Sequence, residues 1–124
     1  MSRVLIVDDE EPVRDLIREA IQTWQPEWEV DEASNGVEAV ERALENPPDL
    51  ILLDIVMPDM GGLLVCQKVR QNTSRKNPRI ICITAKTNPS FSDTAFALGC
   101  DDFVVKPFEL SDLIERAKRL MQKS

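Results

Sequence analysis

The sequence predicts a three-layer α/β domain, a doubly wound parallel sheet of five strands alternating with five helices. Two periodicities predict it. Five short runs, Val4–Val7, Trp28–Ala33, Leu50–Leu53, Ile80–Ile83 and Phe103–Val105, have the length and apolar character of strands. Four of them are almost continuously apolar, as strands covered on both faces must be. Between them the apolar spacing changes to that of a helix, and strictly alternating strand and helix signals make a parallel sheet.

Each element has its own justification. After the first strand, Val13, Leu16, Ile17, Ala20, Ile21 and Trp24 fall at i, i+3, i+4, i+7, i+8 and i+11, one stripe of a helix. The second strand, "WEVDEA", alternates apolar and charged residues, so it is read as a half-exposed edge. Asn35-Gly36 would signal a hairpin elsewhere. Here a helical pattern over 36–45 follows, so it is read as a strand-to-helix turn. Helices are also expected at about 62–71 and about 90–98. The stretch "TNPSFSD" at 87–93 is a poor helix former, so the second of these is expected to be short. Leu110, Leu113, Ile114, Ala117 and Met121 mark the last helix. No repeat and no linker interrupts the pattern, so residues 1–124 are read as one domain.

Composition narrows the function. The chain is 43% hydrophobic and 30% charged with a net charge of −7, which argues against direct nucleic-acid binding or an anionic membrane surface. No apolar run approaches the roughly 20 residues that span a bilayer, and there is no basic-then-apolar leader pattern. Cys66, Cys82 and Cys100 have no metal-like or redox-like spacing, so they are read as reduced, mostly buried thiols in a cytoplasmic protein. There is no histidine. That excludes Ser-His-Asp and Cys-His catalysis, histidine-ligated metals and a self-contained phosphohistidine.

Ligands of an open parallel sheet bind at the carboxyl ends of its strands. Here strand one ends in Asp8-Asp9, strand three in Asp54, strand four in Thr84 and strand five in Lys106. Three carboxylates brought together raise one another's pKa unless a cation is shared among them. Oxygen ligands suit a hard cation, Mg2+ or Mn2+, rather than zinc. Lys106 and Thr84 could then hold further phosphate oxygens. The set is a clamp for a phosphoryl group, whose transfer needs little beyond alignment and charge neutralisation, and a carboxylate can itself be the nucleophile.

Each residue also has a plainer role. Asp8 or Asp9 could cap the first helix, and Glu10 and Glu11 are read as favouring its positive end, with Pro12 in the first turn. Asp54 could end a strand, and Lys106 could be a surface lysine. The plain readings fail together, because every strand end facing the site carries the group the chemistry requires.

The segments "VLIVDDE" at 4–10, "ASNGVEAVE" at 33–41, "PDLILLDIVMPDMGG" at 48–62, "ITAK" at 83–86 and "GCDDFVVKPF" at 99–108 resemble, over the whole chain, the receiver domain of two-component response regulators. The resemblance implies a flavodoxin-like strand order of 2-1-3-4-5. It implies Asp54 as the phosphoacceptor, with Asp9 as direct Mg2+ ligand, Asp8 reaching the metal through water, and the Val56 carbonyl as a further ligand. Lys106 would contact Asp54 and then the phosphoryl group, with a cis Lys106-Pro107 bond. Thr84 and Phe103 would form the switch. The implied partners are a sensor histidine kinase or phosphotransfer protein and an output domain or downstream effector. A homodimer through the face of the fourth helix, fifth strand and fifth helix is also implied. The domain would be a self-phosphorylating phosphoacceptor with autophosphatase activity rather than a conventional enzyme.

Two positions tune hydrolysis in that family, here Val56 and Lys86. Val56 has no polar atom to position a water, so a long-lived phosphoryl group is expected. A flavodoxin-like FMN carrier is the wrong reading, because "DDEEP" after strand one would repel the phosphate. An aspartate-nucleophile phosphatase wants a second acid where Val56 stands. The remaining alternative is a degenerate receiver acting as a phosphorylation-independent interaction module.

Overall fold

The computed structural model describes residues 2–57, 59–72, 77–85 and 96–122. Five strands, β1 (Arg3–Val7), β2 (Glu29–Ala33), β3 (Leu50–Asp54), β4 (Arg79–Thr84) and β5 (Asp102–Val105), form one sheet in the order 2-1-3-4-5, every neighbouring pair parallel. The described helices are α1 (Glu11–Trp24), α2 (Gly36–Glu45), α3 (Gly62–Gln71) and α4 (Leu110–Gln122). This is the expected doubly wound α/β sheet. The helix expected at about 90–98 falls largely outside the described residues, as does Lys86.

Strand periodicity sorts the core into two layers. Leu5, Val7, Ile51, Leu53, Ile80 and Cys82 pack with Ala39 and Ala43 of α2 and Val65 and Val69 of α3. The alternate residues Val4, Ile6, Leu50, Leu52, Ile81 and Ile83 pack with Ile17 and Ile21 of α1 and Leu113 and Ala117 of α4. Successive side chains point to opposite faces of a strand, so a sheet sandwiched between helices needs apolar residues at both parities. β2 is the edge, with only Ala33 fully buried. Trp24 and Trp28 meet beside it, ring centroids 5.1 Å apart. Leu16, placed in the buried stripe of the first helix by its spacing, is 55% exposed. It lies on the flank of α1 towards α4 rather than under the sheet.

Helix starts follow local chemistry. Asn35 accepts from Glu38 N at 2.8 Å while Glu38 Oε1 accepts from Ser34 N at 2.8 Å, so two donors at the start of α2 are satisfied reciprocally. α1 begins differently. Its N-cap is Glu10, which makes no side-chain cap, and Pro12 occupies the first turn. Neither Asp8 nor Asp9 caps it.

One expectation is overturned. Cys82 and Cys100 form a disulfide, their Cα atoms 6.3 Å apart, and only Cys66 is free and buried. The pair is 18 residues apart in sequence and meets because β4 and β5 are neighbours, which spacing alone does not reveal. Cys66 Sγ lies 3.9 Å from Cys100 Sγ, and burial pushes the Cys66 thiol up. Alkylation of the denatured chain should therefore label one cysteine without reductant and three after reduction. Reduction should lower stability by about 3 kcal/mol in a denaturant titration. Three labels in both samples would refute the crosslink.

Candidate active site

Parallel strands end on one edge, so register alone assembles the site. Val7 pairs with Leu53, Asp54 with Ile83 and Thr84 with Val105, which brings the residues at the ends of β1, β3, β4 and β5 together. Asp8, Asp54 and Thr84 are buried polar side chains among otherwise apolar surroundings. Lys106 Nζ stands 3.4 Å from Asp8 Oδ2 and 3.4 Å from Asp54 Oδ2, one ammonium between two carboxylates. The Lys106-Pro107 peptide is cis, and Lys106 N donates to Thr84 O at 2.6 Å, tying the end of β5 to β4.

Asp8 is held from three directions. Its N–H donates to Ala33 O at 3.2 Å, and its carbonyl accepts from Arg14 Nη1 at 2.7 Å. Its Oδ1 accepts from Glu10 N at 2.9 Å, a turn two residues long that aspartate favours. Asp8, Asp9 and Glu10 place one carboxylate oxygen each within 4.8 Å of one another. Asp9 and Glu10 are exposed, at the rim. Asp54 Oδ1 accepts from Val56 N at 3.2 Å, and the Val56 side chain is exposed. Phe103 is half-buried, edge-on to Phe96 with centroids 5.7 Å apart.

The electrostatics follow from burial and crowding. Burial first, then the Asp8 charge, raise the Asp54 carboxyl above its ordinary value, and the Lys106 ammonium offsets only part of this. At Lys106 burial works against the charged form, but Asp54 and Asp8 outweigh it and raise the ammonium. Two buried carboxylates, Asp8 and Asp54, share one ammonium, and the exposed Asp9 carboxylate stands beside Asp8. The surplus of hard, anionic oxygens is a donor set that suits a divalent cation of the Mg2+ or Mn2+ type.

Two contributors are not evident in the sequence. Glu10, read as a helix-start acid, joins the carboxylate cluster. Arg14, one residue among several charged ones on α1, braces the Asp8 carbonyl and is itself held by Glu32 Oε1 at 2.9 Å, with Arg18 on Oε2. Burial opposes ionisation of Glu32, but Arg18 and Arg14 together hold its carboxyl below the usual range. The signal available, a charged face on α1 opposite the charged parity of β2, does not say which pairs form.

The model for the response regulator receiver domain matches residues 4–118. The chain belongs to the response regulator receiver family. Two curated relatives of this receiver domain are the transcriptional regulatory proteins ResD of Bacillus subtilis, 37% identical, and SrrA of Staphylococcus aureus, 38% identical. Each match covers 99% of this chain and 49% of the relative, so the chain spans about half the length of these relatives. The chemotaxis protein CheY4 of Vibrio cholerae superposes with a TM-score of 0.87 at 31% identity, covering 96% of this chain and 98% of its own. The response regulator TrrA of Thermotoga maritima, in complex with Mg2+-BeF, superposes with a TM-score of 0.82 at 37% identity, covering 97% of this chain and 99% of its own. No helix among the described residues is long and apolar enough to cross a membrane.

The raised Asp54 carboxyl has a consequence for stability. The folded chain binds that proton more tightly than the unfolded chain, so its contribution is present below the ordinary value of 3.8 and is lost as pH rises through the raised value. In metal-free buffer at pH 7, Asp54→Asn should therefore melt above wild type, by about 2 °C or more. The gap should close in acid. Melting curves in EDTA across pH test this, and equal melting at pH 7 would contradict it.

Proposed function

We propose that this receiver domain takes a phosphoryl group onto Asp54 from the phosphohistidine of a sensor histidine kinase or phosphotransfer protein. The observation that carries the reading is the single ammonium of Lys106 set 3.4 Å from both buried carboxylates, Asp8 and Asp54, at the carboxyl edge of a parallel sheet. An Asp54 oxygen attacks phosphorus in line with the leaving histidine nitrogen, and the P–N bond breaks as the acyl phosphate P–O bond forms. Lys106 neutralises charge on the transferring group. Asp9, Asp8, Asp54 and the Val56 carbonyl are the groups to hold Mg2+, which when bound neutralises phosphoryl oxygens. The chain has no histidine, so the donor is another molecule.

A cleft of about 420 Å3 opens directly beside Lys106, lined by Val13, Leu16, Pro107, Phe108 and Leu110. Its apolar lining and the exposed Leu16 suit a helix of the donor protein carrying the phosphohistidine next to the site. In the product, Thr84 reaches a phosphoryl oxygen and Phe103 turns inward. The face built by the segment before β5, β5 itself and α4 then changes between two populated states. That face signals to an output domain or effector, with a homodimer as one form of output. Because the curated relatives are transcriptional regulators about twice as long, the output proposed is transcriptional, with DNA contacts made outside this domain. The work is done in the cytoplasm, where burial of Cys82 and Cys100 shields their bond from soluble thiols.

Incubation with Mg2+ and acetyl phosphate should add one phosphoryl mass to the intact chain, and Asp54→Asn or chelation should abolish it. An adduct that persists in Asp54→Asn sinks the proposal. No adduct in wild type favours the degenerate interaction module instead. Phosphoryl lifetime gives a second check. Exposed Val56 positions no water, so Val56→Asn should shorten the lifetime several-fold, and an unchanged decay rate would show that this position does not govern hydrolysis here.

A further inference from the structure

Asp59 is an exposed residue of the connection between β3 and α3, three residues beyond Val56, yet both of its carboxylate oxygens accept hydrogen bonds. Its Oδ1 accepts from Gly36 N at 3.0 Å and its Oδ2 from Val37 N at 3.1 Å. These are first-turn donors of α2 that the helix itself cannot satisfy. The Gly36 N–H above all, with Val37 and Met60, holds the Asp59 carboxyl below the usual carboxylate range. Asp59 therefore caps a helix from 22 residues away, although Asn35 already caps it locally.

Three further observations tie this bond to the acidic site. A Cβ on Gly36 would stand 2.5 Å from Met60 Cβ and 2.8 Å from Met60 O, so the start of α2 and the connection are pressed together with no room between. A Cβ on Gly62 would stand 2.5 Å from Ile55 Cα and 2.6 Å from Asp54 O, and Gly62 N donates to Ile55 O at 2.8 Å, so the connection closes tightly back on Asp54. Finally, Ala33 O, just before the same helix start, accepts from Asp8 N. Residues 33–37 thus grip both halves of the site, Asp8 by its backbone and the Val56 connection by Asp59.

We propose that Asp59 is a positioning residue for the cation site: by fastening the β3–α3 connection to the start of α2, it holds the Val56 carbonyl at a fixed distance from Asp54 and the strand-one acids. The proposal rests on Val56 O being a ligand, as in the function proposed above. Asp59 touches neither cation nor phosphoryl group and acts through the connection alone. Residues that orient metal ligands in this way typically change affinity by about 10–100-fold when removed.

The test is Mn2+ binding to the unphosphorylated chain, followed by electron paramagnetic resonance, with melting curves in EDTA alongside. Asp59→Ala should weaken Mn2+ by about tenfold. Asp59→Asn, which keeps one of the two accepting oxygens and turns an NH2 towards the other N–H, should fall between wild type and Asp59→Ala. Asp59→Glu, which keeps the charge and displaces the connection by one methylene, should bind more weakly than wild type. Ala43→Gly, which weakens α2 without touching the connection, should lower the melting temperature and leave Mn2+ affinity alone. Wild-type affinity in Asp59→Ala overturns the proposal. So does wild-type affinity in Asp59→Glu, which would show that charge and not the position of the connection matters, or an equal loss in Ala43→Gly. A wild-type chain that binds no Mn2+ overturns the cation site itself, and this proposal with it.

Discussion

The structure depends on one crowded arrangement: two buried carboxylates, Asp8 and Asp54, facing a single ammonium, Lys106, with Asp9 and Glu10 at the rim. Burial alone disfavours two carboxylates there, and mutual repulsion adds to the cost. Lys106 relieves part of it, at 3.4 Å from each acid. What is left unrelieved is surplus negative charge, of the kind a divalent cation offsets. A site of this kind is built to be incomplete, and the surrounding fold must hold it open against its own repulsion.

That holding is done by backbone and by neighbours rather than by the acids themselves. Ala33 and Arg14 fix the Asp8 backbone, the Lys106 N–H to Thr84 O bond fixes the end of β5, and Gly62 folds the connection after Asp54 back onto Ile55. Beneath them two apolar layers clamp the sheet, each strand supplying one parity to each layer. A sheet covered on both faces is stiff, which sets the spacing of the strand ends. On the β5 side, half-buried Phe103 meets Phe96 and the Cys82–Cys100 bond joins β4 to the entry of β5.

How much of this could be read beforehand varies residue by residue. The strands and the stripes of α1 and α4 were readable because continuous apolar runs and 3.6-residue spacing each have one structural meaning at these lengths. Asp8, Asp54, Thr84 and Lys106 were readable because a parallel sheet gathers its carboxyl ends, which makes strand-terminal residues a list of site candidates. Leu16 was misplaced because a helical stripe wider than the buried face puts its margin in solvent. Cys82 and Cys100 were misread because their meeting depends on which strands are neighbours. Arg14 and Asp59 carried no signal at all, since a charged residue on a helix or loop looks the same whether it faces water or braces a backbone.

By itself, then, the sequence determined the class of fold, the two-layered core and the chemical groups delivered to one edge of the sheet, since these follow from periodicity and chain direction. The tertiary structure alone decided which acids share Lys106, which arginine holds Asp8, which cysteines join, and what fastens the connection after Asp54. Those are matters of distance between residues far apart in the chain. No local pattern of side chains encodes a distance that is set only when the strands have taken their order.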